Sequence, residues 1–183
     1  MQVADAVLRP RKSALLTPTL KVGFRTFATP DDDLDRDQRW NVGVLEIYPW
    51  SDLVRVGLVT QLGFEQPPDG RDTTDFFVTE GLQIGGAYPT RHATPFVTGH
   101  VAIGFMRRLG EVMDVAVPAY SALASVGGDV GCDFRVFRGM TLGLSLGAVY
   151  QIERRYGADA DTREVISDTF TSTALSFAGF VGW

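Results

Sequence analysis

The feature that most constrains this chain is a strict alternation of apolar with small or polar residues, recurring in eight runs of roughly ten residues each. In the clearest run Val54, Val56, Leu58, Leu62 and Phe64 share one parity, and Arg55, Gly57, Gln61 and Gly63 the other. Side chains on a strand alternate faces, so each run has one greasy and one polar face. Eight such runs predict an all-β chain folded as an eight-stranded antiparallel up-and-down transmembrane β-barrel, apolar outside and polar inside. No apolar stretch approaches the ~18–20 residues of a membrane helix. Average hydropathy does not argue against a barrel, because alternation dilutes the apolar content of every strand.

The runs fall near 18–28, 40–49, 53–65, 76–87, 95–107, 122–136, 140–151 and 170–183. The links after the first, third, fifth and seventh are long (29–39, 66–75, 108–121 and 152–169), and the others are short. In bacterial barrels short turns are periplasmic and long loops extracellular, so an even strand number leaves both termini in the periplasm. The expected division is an N-terminal periplasmic segment, 1–17, and a barrel domain, 18–183. Segment 1–17 carries its charges centrally with no apolar core after them, and does not read as a secretory signal. Glycine is enriched, 20 of 183 residues, which suits a narrow interior crowded by side chains.

One run breaks phase. Trp40, Val42 and Val44 share parity with Glu46, while Leu45 and Ile47 oppose them. A bulge near Val44–Leu45 would reset the phase and turn Glu46 inward, away from lipid. Aromatic residues gather at run ends in two levels: Trp40, Phe64, Phe76, Phe105 and Tyr150 above; Tyr48, Trp50, Tyr88, Phe96, Phe137 and Trp183 below. Amphipathic rings prefer the membrane interface, so Trp40, Tyr48, Trp50, Phe64, Tyr88, Phe105, Tyr150 and Trp183 are read as interface aromatics.

With these features the chain resembles the small eight-stranded bacterial outer-membrane barrels of the OmpA transmembrane-domain and OmpX type, over residues 18–183. The most specific element is the C-terminal run Ser176-Phe177-Ala178-Gly179-Phe180-Val181-Gly182-Trp183. The resemblance implies that Phe177, Val181 and Trp183 form the signal read by the outer-membrane insertion machinery. Trp183 stands where the family more often has Phe, and Ala178 where Gly is common. Some barrels of this kind are lipid A deacylases with a His, Ser and carboxylate on the outer wall. Here His100 falls inward and His92 lies in a short turn, neither beside a same-face serine. No enzyme activity is expected.

The inward parity collects charge: Arg25, Arg55, Gln61, His100, Asp129, Asp133 and Arg135 are expected to form a lumen network, with His100 beside Asp129. An eight-stranded barrel is only wide enough for side chains to fill, so these charges must pair. Net charge of −5 argues against a nucleic-acid partner. The single cysteine, Cys132, excludes an internal disulfide and thiolate metal clusters. Segment Asp31-Asp32-Asp33-Leu34-Asp35-Arg36-Asp37 lacks the Gly and bidentate Glu of a calcium loop, so no metal or cofactor is expected. The resulting expectation is a Gram-negative outer-membrane barrel with a structural or interaction role, a plugged lumen and long acidic extracellular loops. Its partners would be outer-membrane lipids, lipopolysaccharide, the insertion machinery, and a protein met through the loops or the wall. A small passive channel and a soluble lipocalin-like ligand-binding barrel remain open alternatives.

Overall fold

The computed structural model describes residues 19–28, 38–50, 53–66, 75–112, 115–158 and 165–183. Eight strands follow in chain order: β1 (Thr19–Ala28), β2 (Gln38–Trp50), β3 (Val54–Gln66), β4 (Asp75–Ala87), β5 (Ala93–Val112), β6 (Val115–Phe137), β7 (Met140–Ala158) and β8 (Val165–Gly182). Each pairs antiparallel with its sequence neighbours, and β1 also pairs with β8, Lys21 opposite Gly182, so the sheet closes into a barrel. Over the span where β1 meets β8, Lys21–Ala28 against Leu175–Gly182, closure leaves the barrel body without a free edge. The segment 1–17 and the acidic run Asp31–Asp37 lie outside the described residues.

Alternation translates directly into two walls. On β5, Thr98, His100, Ala102 and Met106 are buried in the interior, while Val97, Val101, Ile103 and Phe105 are exposed, Ile103 by 72%. The same split recurs on β7, with Leu142, Leu144 and Leu146 outside and Ser145 and Val149 inside. The barrel is thus inverted relative to a soluble fold: much of its large apolar surface faces outward, and its paired charges face in.

Three expectations need correction. The bulge in β2 sits at Asn41–Gly43, not at Val44–Leu45. Val44, Glu46 and Tyr48 all point inward below it, and Leu45 and Ile47 outward. Glu46 therefore reaches the lumen in company with Val44, because one extra residue higher on the strand absorbs the phase change. Tyr48 is not an interface aromatic: it is 1% exposed, as parity with inward Val44 and Glu46 requires. Phe96 is likewise interior, sharing parity with Thr98 and His100.

The third correction concerns 108–121. Most of it is ladder rather than link, with Leu109 opposite Pro118 and Val112 opposite Val115, which leaves residues 113–114 between β5 and β6. The β7–β8 ladder similarly runs up to Ala158 opposite Val165. Pairing satisfies backbone groups of apolar stretches such as Val115-Ala116-Val117 that an open loop would leave bare. The wall made by β5–β8 is therefore longer than that made by β1–β4.

Candidate functional site: the barrel interior

The interior is built from short inward rows on every strand. At the end bearing the short turns, Asp133 on β6 accepts from two cations arriving across the lumen. Lys21 Nζ from β1 lies 2.7 and 2.8 Å from its two carboxylate oxygens, and Arg55 Nη2 from β3 donates to Oδ2. Both cations also lie over aromatic faces: Arg55 Cζ is 4.1 Å and Lys21 Nζ 4.7 Å from the centre of the Phe96 ring. A ring in this position stabilises a dehydrated cation without adding charge. Tyr48 and Phe180 border the same group.

A second group lies one layer further in. Arg25 Nη2 donates to Asp129 Oδ2 at 2.9 Å and stands 3.9 Å from Glu46. Tyr48 Oη donates to Glu46 Oε2 at 2.7 Å, joining the two layers. His100 Nδ1 lies 3.4 Å from Asp129 Oδ2, near enough to interact as an ion pair when protonated but outside hydrogen-bond geometry. Lys21, Arg25 and Arg55 face Glu46, Asp129 and Asp133, so these two layers balance in formal charge. Paired in this way, buried charges avoid the several kcal/mol that an isolated one would cost.

Glycine placement makes the layers fit. A Cβ at Gly143 would lie 2.5 Å from Asp133 Oδ1, and one at Gly147 would overlap Asp129 Oδ1. The carboxylates occupy the volume these residues leave free. On the strand beside Asp129, Thr98, in register with it, accepts through Oγ1 from Gln83 Nε2 at 2.7 Å. A cavity of about 20 Å³ touches His100, Gln61, Thr79 and Ser125, enough for about one water. Beyond it Phe77, Met106 and Leu123 form an apolar cluster.

Of the expected lumen residues, Arg25, Arg55, Gln61, His100, Asp129 and Asp133 are buried inside. Arg135 is the exception. It has inward parity but is exposed, because β6 runs past the start of β5 (Ala93 opposite Phe134) and carries Arg135 onto the rim. There its main-chain N–H donates to the His92 carbonyl and its Nη1 to the Arg91 carbonyl. Lys21 belongs to the network although only its inward parity pointed to it, and Glu46, Tyr48 and buried Glu153 join the interior too. Among the expected interface aromatics, Phe64, Tyr88, Phe105, Tyr150 and Trp183 are exposed. The side chains of Trp40 and Trp50 lie outside the described residues. Phe177 is exposed and Val181 partly so on the outward face of β8, beside terminal Trp183. Glu80 was not anticipated: it is exposed on the outer wall, in register with Thr60 and Ile103.

No family model and no curated sequence matches the chain. Among solved structures it is similar to Neisserial surface protein A (NspA), at 10% identity, TM-score 0.53, over 90% of this chain and 92% of that one. The likeness is one of fold: a closed eight-stranded antiparallel β-barrel.

Proposed function

We propose that this chain is an integral outer-membrane β-barrel of the small OmpA and OmpX type, with a structural or interaction role and a lumen closed to ions. One observation carries the reading: a closed barrel exposes a continuous band of Leu, Ile, Val and Phe while burying its ion pairs. Leu82, Ile84, Ile103 and Leu146 are all more than 60% exposed. A band of this extent on a protein in water would be an aggregation surface; in lipid it is the solvated face. The fold similarity to a Neisserial surface protein agrees with that reading. A soluble lipocalin-like barrel is disfavoured, since such barrels hold a ligand in the interior, and here salt bridges and side chains fill it.

Both described chain ends lie at the short-turn rim, where Leu20 and Trp183 exchange backbone hydrogen bonds. That rim is assigned to the periplasm by the usual asymmetry of loop length. The paired charges and the apolar cluster beyond them support a closed lumen, and no catalytic role is assigned. Recognition falls to the outer wall and to the rims.

Membrane fractionation with detergent-gel migration of heated and unheated samples tests the assignment. The expected result is membrane association and a heat-dependent shift in mobility. Free partition into the soluble fraction would overturn it. Planar-bilayer recording tests the lumen: no steady current is expected, and steady open currents would favour a small passive channel.

A further inference from the structure

The short-turn rim carries a cationic surface that the lumen network does not use. Arg91 and His92 lie in the turn between β4 and β5, Arg135 at the end of β6 and Arg138 in the turn between β6 and β7, and all four are exposed. The two turns are neighbours because β5 and β6 pair directly. They are also fastened to each other: Arg135 N–H donates to the His92 carbonyl at 2.9 Å, and Arg135 Nη1 to the Arg91 carbonyl at 3.5 Å. Thr90 Oγ1 donates to the Ala93 carbonyl at 2.6 Å and holds the first turn closed. Among the described residues no carboxylate side chain is exposed on this rim; Asp133, the nearest in sequence, is buried and held by Lys21 and Arg55. In a chain of net charge −5, three guanidiniums with no exposed acidic side chain beside them among the described residues form a local reversal of sign.

The apolar band reaches this surface without a gap. Phe137, 66% exposed, immediately precedes Arg138, and Tyr88, also exposed, begins the turn that carries Arg91. The guanidiniums therefore stand at the height where acyl chains give way to headgroups. Guanidinium and phosphate form short, bidentate, charge-assisted hydrogen bonds.

We infer that Arg91, Arg135 and Arg138 form a docking site for the phosphate headgroups of anionic phospholipids in the leaflet at the short-turn end. The inference rests on the membrane reading above. It adds a preference for headgroup charge that the apolar band alone would not produce.

The test uses the full chain reconstituted in vesicles of equimolar phosphatidylglycerol and phosphatidylethanolamine, extracted gently and analysed for retained lipid. Wild type is expected to retain phosphatidylglycerol in excess. The R91Q/R135Q/R138Q variant should lose that excess, by about fivefold per arginine at low salt, and 0.5 M salt should weaken it in wild type. The R91K/R135K/R138K variant keeps the charge and the Arg135 main-chain bond to His92 but loses the bidentate fork, and should keep only part of the excess, between wild type and the glutamine variant. Inorganic phosphate at 10 mM should not displace the lipid, which is held at the interface by its chains as well. Equal retention by wild type and the glutamine variant would overturn the site, as would displacement by free phosphate. Failure of wild type to insert into purely zwitterionic vesicles would instead overturn the membrane reading, so the two failures are distinguishable.

Discussion

Asp133→Asn isolates the central electrostatic element of the interior. The substitution keeps the side-chain volume and removes the one charge that Lys21 and Arg55 share. Lys21 Nζ lies 2.7 and 2.8 Å from the two oxygens, and the three side chains are 2%, 3% and 6% exposed. At that burial bulk water screens little, so two like charges would face each other without their shared counter-ion, with only Glu46, in register with Lys21, left to oppose them. Breaking a buried pair by removing one partner costs about 3–5 kcal/mol. The contacts of both cations with Phe96 persist in the variant and do not repair the loss. Urea unfolding in vesicles, followed by tryptophan fluorescence and by the mobility of unheated samples, should show a lowered midpoint with an unchanged slope. Removing four charges together, as Lys21→Met, Arg55→Met, Asp133→Leu and Glu46→Gln, should cost far less, because Arg25 and Asp129 then remain as a matched pair. An Asp133→Asn midpoint equal to wild type would refute the reasoning, as would a fourfold variant less stable than the single one.

Three further outcomes follow from the same geometry. Tyr48→Phe deletes the hydrogen bond to Glu46 and should lower unfolding stability by about 1.5–3 kcal/mol, as expected for a bond to a buried charged acceptor; a neutral result in the same urea assay would remove the link between the two layers. Gly147→Ala places a methyl group against the Asp129 carboxylate, and about 1–3 kcal/mol of destabilisation is expected from overpacking, measured as a lower midpoint. Glu80 lies four residues below Phe76, about 13 Å along the strand, inside the outer apolar band. Glu80→Leu should therefore stabilise the protein in lipid vesicles, by about 1–2 kcal/mol; destabilisation would show that this carboxylate is held by a partner group.

Parity carried much of this structure. Val97, Val101, Ile103 and Phe105 opposite Thr98, His100 and Ala102 describe both walls of β5 before any coordinate is known. The same parity already placed Tyr48 beside Glu46, Phe96 beside Thr98, and Phe180 opposite Val181. Treating every strand-end aromatic as an interface residue set that signal aside, and Tyr48 and Phe96 instead cover the interior cations. Arg135 shows the opposite limit: its parity points inward, but its strand has already run past the start of β5 at that height. The true lengths of β5–β8 were equally hidden, since a polar or mixed stretch can be loop or ladder until its partner strand is known.

By itself, then, the sequence determined the number of strands, their order, the two unlike faces and the inward direction of most of the charges. These follow from a side-chain period of two, which is local. Only the tertiary structure decided that Asp133 on β6 meets Lys21 from β1 and Arg55 from β3, while Asp129 meets Arg25. Those partners lie 112, 78 and 104 residues apart in sequence. Their meeting depends on the height at which each inward side chain enters the lumen. Strand tilt, the bulge at Asn41–Gly43 and the register of closure between β1 and β8 set that height together, and none of the three is a property of a single strand.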